Sequence, residues 1–393
     1  MVEFRGATLD SRRVKPGMLF VAVKGEKVDG RDFIPQALAA GAAGIVEGRD
    51  GLAAAAREYR SSLKAKTIGV TGSAGKTTVK EMIAAFLRQG GFRVHATEGN
   101  FNNDLGLPLT ILNCPRDADF LVLEMGTNHP GEIAGLVDVA KPDVGAISSI
   151  GTAHIEFFGT QDGIADEKGV LFARLPRDGF AVLGADNCRL ERLRAMSAAP
   201  VVVADPRDET GVRLAAALST RLPGAHNAAN ARIAAAVAAG FGVGTEACVA
   251  ALEDGFALPG DRWRVETVGG VVRVNDCYNA NPTAMAASLK TFAAMPCEGR
   301  RIAVLGDMLE LGERAEELHA EIGRLARSLP LDLVVAVGRL ASAIANEMPP
   351  GRAEAVPDVP AARKLLEGRL RPGDAVLLKA SRSMALENVF RPE

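Results

Sequence analysis

Residues 67–89 leave this chain few folds to choose from. Thr67-Ile-Gly-Val-Thr-Gly72 is a short β-branched apolar run that enters a glycine-rich turn, Ser73-Ala-Gly-Lys-Thr-Thr78. Apolar periodicity then predicts a helix from Lys76 to Gln89. A buried strand that turns directly into a helix belongs to a parallel sheet, because parallel strands need long crossovers and bury both faces. Similar buried runs follow at Phe120–Glu124, Val144–Ile150 and Ala181–Leu183, separated by helical stretches. The expected fold class is α/β, with a parallel sheet covered on both sides.

The same reading divides the chain into three α/β domains. Ahead of the central sheet lie strand-like runs at Met18–Val23 and Ala43–Glu47 and helical ones at Phe33–Ala40 and Leu52–Arg60. Beyond it, helical sequence from His226 to Ala251 leads to Leu258-Pro259-Gly260, a breaker pair suited to a boundary. The last third opens with β-branched runs around Gly269-Gly270, a hairpin signal. Strands at Ile302–Leu305, Leu333–Val337 and Ala375–Lys379 then predict a second open sheet. The expected domains are residues 1–66, 67–259 and 260–393.

Composition removes other function classes. With 48% hydrophobic and 24% charged residues the 393-residue chain is expected to be globular rather than disordered. A net charge of −2 gives no basic field for nucleic acid or anionic lipid, and one Trp and two Tyr offer little for bases to stack on. The five cysteines are scattered without CxxC spacing, which suits a reducing compartment. The stretch Ile233–Thr245 is too short to span a bilayer, and the first residues show no basic-then-apolar signal pattern. A cytoplasmic protein with no nucleic-acid or membrane partner is expected. A dinucleotide-dependent oxidoreductase does not fit, since no G-x-G-x-x-G follows a strand.

The turn itself carries chemistry. Backbone N–H groups of Gly72, Ser73, Ala74, Gly75, Lys76, Thr77 and Thr78 can surround phosphate oxygens at a helix N-terminus. Lys76 would reach the β/γ-phosphates of ATP, and the Thr77 hydroxyl would ligate Mg²⁺. Glu124, at the carboxyl end of a neighbouring strand, supplies a hard oxygen for the same ion. His154 follows the next strand and is expected at the same edge. Lys168, by periodicity alone, reads as a solvated helix lysine. A nucleotide-driven switch would need the phosphate loop alone, and it leaves His154 and the asparagine-rich segments unexplained.

Several segments together resemble the Mur ligase family, ATP-dependent amide-bond ligases of peptidoglycan precursor synthesis. They are Thr71–Thr78, Glu124-Met-Gly126, Thr152-Ala-His154 and Glu167-Lys-Gly169. The likeness continues through Gly99–Pro108, Gly224-Ala-His-Asn-Ala-Ala-Asn230, Asp276-Cys-Tyr-Asn-Ala-Asn-Pro282, Leu305-Gly-Asp-Met-Leu-Glu-Leu-Gly312 and Lys379-Ala-Ser-Arg382. Two of these, Tyr278–Pro282 and Gly306–Gly312, look like the branch that adds D-alanyl-D-alanine to UDP-N-acetylmuramoyl-tripeptide. The alternative within the family is a ligase that adds a single amino acid to a UDP-muramoyl-peptide.

The resemblance implies a small UDP-binding domain, a central P-loop-type ATPase domain and a C-terminal Rossmann-like domain in a monomeric enzyme. It implies two Mg²⁺ ions, the second shared by His154 and a carbamylated Lys168. Arg262 would meet the γ-phosphate and Asp276 the ribose of ATP. Asn227, Asn230, Asn279 and Asn281 would line the nucleotide pocket, although helix capping or turn formation accounts for each asparagine equally well. Ser11 and Arg12 would hold the uridine diphosphate, while Asn102, Asn103 and Thr152 would meet the muramoyl-peptide. Lys379, Ser381 and Arg382 would face the dipeptide or the nucleotide. Asp261 interrupts the usual Pro-Gly-Arg, and Ala380 stands in the usual Lys-Gly-Ser-Arg. Nine residues precede Asp10, fewer than the strand and helix usual there, so the first domain is expected either to be naturally short or to lack a part.

Overall fold

The structure, a computed structural model, describes residues 3–390. Its strands form three sheets. The first is parallel and three-stranded: β1 (Ala7–Thr8), β2 (Leu19–Ala22) and β3 (Gly44–Glu47). The central sheet uses β4 (Lys66–Thr71), β5 (Val94–Ala96), β6 (Phe120–Glu124), β7 (Val144–Ile147), β8 (Phe180–Gly184) and β9 (Val201–Ala204). Its order is β5-β6-β4-β7-β8-β9, all parallel. β4 therefore lies between β6 and β7, where successive connections run to opposite sides. That is the kind of switch point at which open α/β sheets bind ligands beyond their carboxyl ends.

The third sheet has the order β10-β11-β15-β12-β13-β14. Its strands are β10 (Arg264–Val268), β11 (Val271–Asn275), β12 (Arg301–Gly306), β13 (Leu333–Val337), β14 (Ala353–Val356) and β15 (Ala375–Lys379). β10 and β11 form the expected hairpin, with Gly269 and Gly270 at φ +61° and +78°. Two successive positive φ values make the tight turn that a twisted hairpin needs. The other pairs in this sheet are parallel.

Contacts gather the chain into two compact units. Residues 1–150, 165–214 and 229–256 form the first; residues 151–164, 215–228 and 257–393 form the second. The first two sheets belong to the first unit. Its core includes Val79, Met82, Ile83, Phe86 and Leu87, all fully buried and spaced to make one face of the helix Lys76–Gln89. Among the described residues no helix is long and apolar enough to cross a membrane.

Three local expectations need correction. The helical stretch 226–251 is two helices, Ala225–Ala239 and Thr245–Glu253, broken at Gly240–Gly244 where Gly242 takes φ +83°. The strand expected over 144–150 ends at Ile147, because Ser148 and Ser149 turn to hold the phosphate loop. Lys168 is not a solvated helix lysine: it is 1% exposed.

Candidate active site

The glycines of the phosphate loop are demanded by what surrounds them. Gly72 has φ +147°, and a Cβ there would come within 2.0 Å of Ser148 Oγ. Gly75 has φ +83°, and its Cβ would stand 2.5 Å from Asn230 Oδ1. From the end of β7, Ser148 Oγ donates to Ala74 O at 2.5 Å, while the N–H groups of Ser73 and Ala74 donate to Ser149 O and Oγ at 2.8 and 3.1 Å. The loop is thus pinned from outside, and the helix Lys76–Gln89 starts immediately after it. First-turn N–H groups of a helix lack intrahelical acceptors, so such a start favours anions. Lys76 Nζ donates to Gly72 O at 2.9 Å, which folds its ammonium over the loop. This cradle fits the phosphates of ATP.

Glu124 closes the opposite side. It is 2% exposed; Oε2 accepts from Thr77 Oγ1 and Oε1 accepts from Asn102 Nδ2, each at 2.8 Å. Its N–H donates to Thr97 Oγ1 at 3.0 Å, and the buried Lys80 Nζ donates to Thr97 O at 2.6 Å. Asn102, expected at the muramoyl-peptide, turns its amide to this carboxylate instead. Among the described residues no three His, Cys, Asp or Glu side chains form a ready metal cage. A Thr hydroxyl beside one carboxylate still fits Mg²⁺, which commonly completes its octahedron with phosphate oxygens and water.

Lys168 owes its burial to glycines on the sheet. The helix Gln161–Ala173 lies close over β4 and β7, where a Cβ on Gly69 or Gly145 would come 3.0 or 3.1 Å from Leu171. Lys168 shares a helical face with Leu171 and Phe172, both buried. Burial, reinforced by the Lys76 ammonium, pulls the Lys168 pKa down to about 7 against the opposing pull of Glu167 and Glu132. Glu167 serves a neighbouring helix, Glu132–Ala140: its carboxylate accepts from the N–H groups of Gly131 and Ile133 at 2.7 and 2.8 Å.

Other expected contacts in the first unit are engaged locally. Asn103 Oδ1 accepts from the N–H groups of Leu105 and Gly106, which makes the turn into the helix Gly106–Leu112. Ser11 is buried and donates to Gln36 Oε1 at 2.8 Å. Arg12 is exposed and forms a two-pronged pair with Asp10.

The second unit carries the remaining candidates. His154 sits at φ +59°, with Nδ1 2.5 Å from Glu310 Oε2 at an angle outside hydrogen-bond geometry. Thr152 Oγ1 is buried and makes no hydrogen bond among the described residues. The Arg262 guanidinium stacks 3.4 Å from the Tyr278 ring centroid and donates to Pro259 O. Asp276 is held by Lys379 Nζ at 2.7 Å, Ser288 Oγ at 2.5 Å and Trp263 N–H at 3.2 Å. Lys379 also donates to the carbonyls of Asp276 and Asn279, so its three donors all point inward. His226 is half-buried near this pair, and desolvation lowers its pKa to about 4.

The asparagines divide. Asn281 caps the helix Pro282–Ala294 through Ala284 N–H, Asn227 donates to Pro223 O, and Asn279 Oδ1 accepts from Ala280 N–H. In the first unit, Asn230 alone lies directly against the phosphate loop. Ser381 Oγ accepts from Leu309 N–H, and Arg382 pairs with Glu387. Thr97, Lys80 and Glu310 were not singled out by sequence reasoning. Their one legible signal was membership in, or nearness to, the quoted motifs.

Three family models match the chain. "Mur ligase family, catalytic domain" covers residues 3–90, "Mur ligase middle domain" residues 70–210, and "Mur ligase, glutamate ligase domain" residues 263–382. Over 420 residues the chain is 34% identical to the UDP-N-acetylmuramoyl-tripeptide–D-alanyl-D-alanine ligase of Escherichia coli, with 98% of this chain and 92% of that protein covered. The ligase of the same name from Bacillus subtilis is 33% identical over 423 residues, with the same coverage. Among solved structures, MurF from Acinetobacter baumannii gives a TM-score of 0.85 at 27% identity, covering 98% of this chain and 92% of that one. MurF ligase from Thermotoga maritima, in complex with ADP, gives 0.84 at 30% identity, covering 99% and 96%.

Proposed function

The chain belongs to the Mur ligase family, and on that premise we propose that it joins D-alanyl-D-alanine to UDP-N-acetylmuramoyl-tripeptide at the expense of ATP. The observation that carries this reading is the likeness to ligases of that name along nearly the whole chain. The phosphate cradle supports it, as does a buried lysine that simple nucleotide hydrolysis would not require.

A carboxylate is a poor electrophile, so the reaction needs an activated acid. In the proposed sequence a substrate carboxylate oxygen attacks the γ-phosphorus of ATP, forming an acyl phosphate and ADP. The dipeptide amine then adds to the acyl carbon, loses its proton, and phosphate departs. Catalysis of this kind rests on positioning and charge neutralisation.

In the first unit, Lys76 and the N–H groups at the start of its helix hold the phosphates, while those of Ser73 and Ala74 are spent on Ser149. Thr77 and Glu124 would hold Mg²⁺, which when bound neutralises phosphate charge. Lys168, about half neutral near pH 7, is suited to add CO₂: an N–C bond forms, a proton leaves, and the cation becomes an oxyanion that can serve the second ion. For the second unit we keep the roles that the resemblance implies: His154 would ligate a divalent ion, Arg262 would meet the γ-phosphate and Asp276 the ribose. Lys379, whose donors are all used on Asp276 and two carbonyls, acts in this reading as a positioning residue.

The deciding experiment measures phosphate release from ATP with the tripeptide substrate and D-alanyl-D-alanine, each omitted in turn. Release is expected only with all three present, and single amino acids are expected not to replace the dipeptide. Equal rates without the tripeptide substrate would sink the ligase reading; replacement of the dipeptide by one amino acid would move the chain to the other branch. In the same assay, Asn102→Ala is expected to raise half-saturating Mg²⁺ about tenfold, in the range found for residues that orient metal ligands. A direct substrate contact by Asn102 predicts instead a higher KM for the tripeptide at unchanged Mg²⁺ dependence.

A further inference from the structure

We propose that Glu310 is a positioning residue that fixes the tautomer and direction of His154. The proposal rests on the reading above, in which His154 ligates a divalent ion. Gly306–Gly312 marked the branch in the sequence, but none of its residues had a role. The geometry supplies one.

Both partners lie in the second unit, and both are held in backbone conformations that side chains seldom adopt. Five non-glycine residues among those described have positive φ, and two of them, His154 at 59° and Glu310 at 61°, face each other. Residues kept in such conformations concentrate where a side chain must be aimed. Glu310 Oε2 lies 2.5 Å from Nδ1 of His154, within hydrogen-bond distance but not aligned for a hydrogen bond. A carboxylate placed there favours the proton on Nδ1, which leaves the Nε2 lone pair for a ligand.

The loop that presents Glu310 is anchored on either side of it. Met308 N–H donates to His319 Nε2 at 2.9 Å, Leu309 N–H donates to Ser381 Oγ at 3.0 Å, and Leu311 is buried. Gly312, at φ +59°, seats the turn on the short helix Ile155–Phe158: a Cβ there would be 3.3 Å from Glu156 Cβ and Cγ. The carboxylate therefore comes from a braced turn that touches the segment bearing His154. Ser381, expected at the dipeptide or nucleotide, takes part in this bracing.

The test compares Glu310→Asn and Glu310→Gln with the parent chain. Asparagine tolerates the left-handed backbone but is one methylene short, so it relieves strain while removing the contact. Glutamine keeps the reach and one acceptor. In metal-free ¹⁵N-labelled protein, with the His154 signals identified by their loss in His154→Gln, the parent chain is expected to carry the proton on Nδ1. Glu310→Asn is expected to shift His154 toward the Nε2–H tautomer and to raise half-saturating Mg²⁺ for ADP formation about tenfold, without lowering the melting temperature. Glu310→Gln is expected to keep the parent tautomer. A parent His154 protonated on Nε2, or a Glu310→Asn chain with unchanged tautomer and Mg²⁺ dependence, overturns the proposal. The tautomer is read without substrate, so this outcome stands apart from whether the dipeptide is ligated.

Discussion

Glu124→Ala is expected to lower kcat/KM for ADP formation by about a thousandfold, a loss of about 4 kcal/mol in transition-state stabilisation. The size follows from how few groups share the task. Near the phosphate loop, Glu124 is the carboxylate fixed by both Thr77 and Asn102, one on each oxygen. Its removal takes away the anionic oxygen proposed for Mg²⁺ and deprives two donors, the buried Thr77 hydroxyl and the half-buried Asn102 amide, of that acceptor. The second effect costs about 1–3 kcal/mol in stability for the buried donor, so unfolding must be measured beside activity. Glu124→Gln separates the two: its volume and part of its hydrogen bonding remain while the charge goes. If Glu124→Gln retains parental kcat/KM per folded molecule, the carboxylate is structural and the Mg²⁺ assignment falls.

Apart from the edge strands β3 and β10, the latter marked by its hairpin glycines, the strands that were legible in the sequence are the interior ones. β4, β6, β13 and β15 are buried nearly throughout and read as continuous apolar runs. β5, β9 and β14 are sheet edges of mixed burial; His95 and Glu354 interrupt β5 and β14, whereas the apolar run Val201–Ala204 of β9 was legible and is missing from the expectations above. The phosphate loop was legible because backbone sterics allow only glycine at Gly72 and Gly75. Side-chain engagement was not. Whether Asn102 reaches toward substrate or back to Glu124 depends on a contact across 22 positions of sequence. Lys168 is the instructive case: its spacing to Leu171 and Phe172 placed it on the apolar face. Treating every lysine as a surface residue hid that signal, and only the family resemblance restored it.

Lys168→Ala is expected to reduce kcat at least a hundredfold and to be partly rescued by acetate or propionate. The argument begins with the proton. An ordinary lysine, with a pKa of about 10.4, is neutral in roughly one molecule in a few thousand at pH 7. Burial and the Lys76 ammonium bring the Lys168 pKa to about 7, so near neutral pH about half of its amine can attack CO₂. In ¹³C-bicarbonate a carbamate carbonyl resonance is expected from the parent chain and none from Lys168→Ala. Stability should carry the same signature. As pH rises from about 7 toward the ordinary lysine value of 10.5, the unfolded chain still binds the lysine proton while the native chain has released it. The native state therefore gains stability from Lys168 across that window, and below about pH 7 it bears the full penalty of a buried ammonium. Lys168→Met, similar in shape and uncharged, should thus be more stable than the parent below pH 7, with the difference shrinking toward pH 10 in the absence of CO₂. An Ala variant with parental kcat would end the carbamate assignment. A Met variant with a constant stability difference from pH 6 to 10 would mean that Lys168 is hydrated and ordinary, which removes the physical reason for CO₂ to choose it.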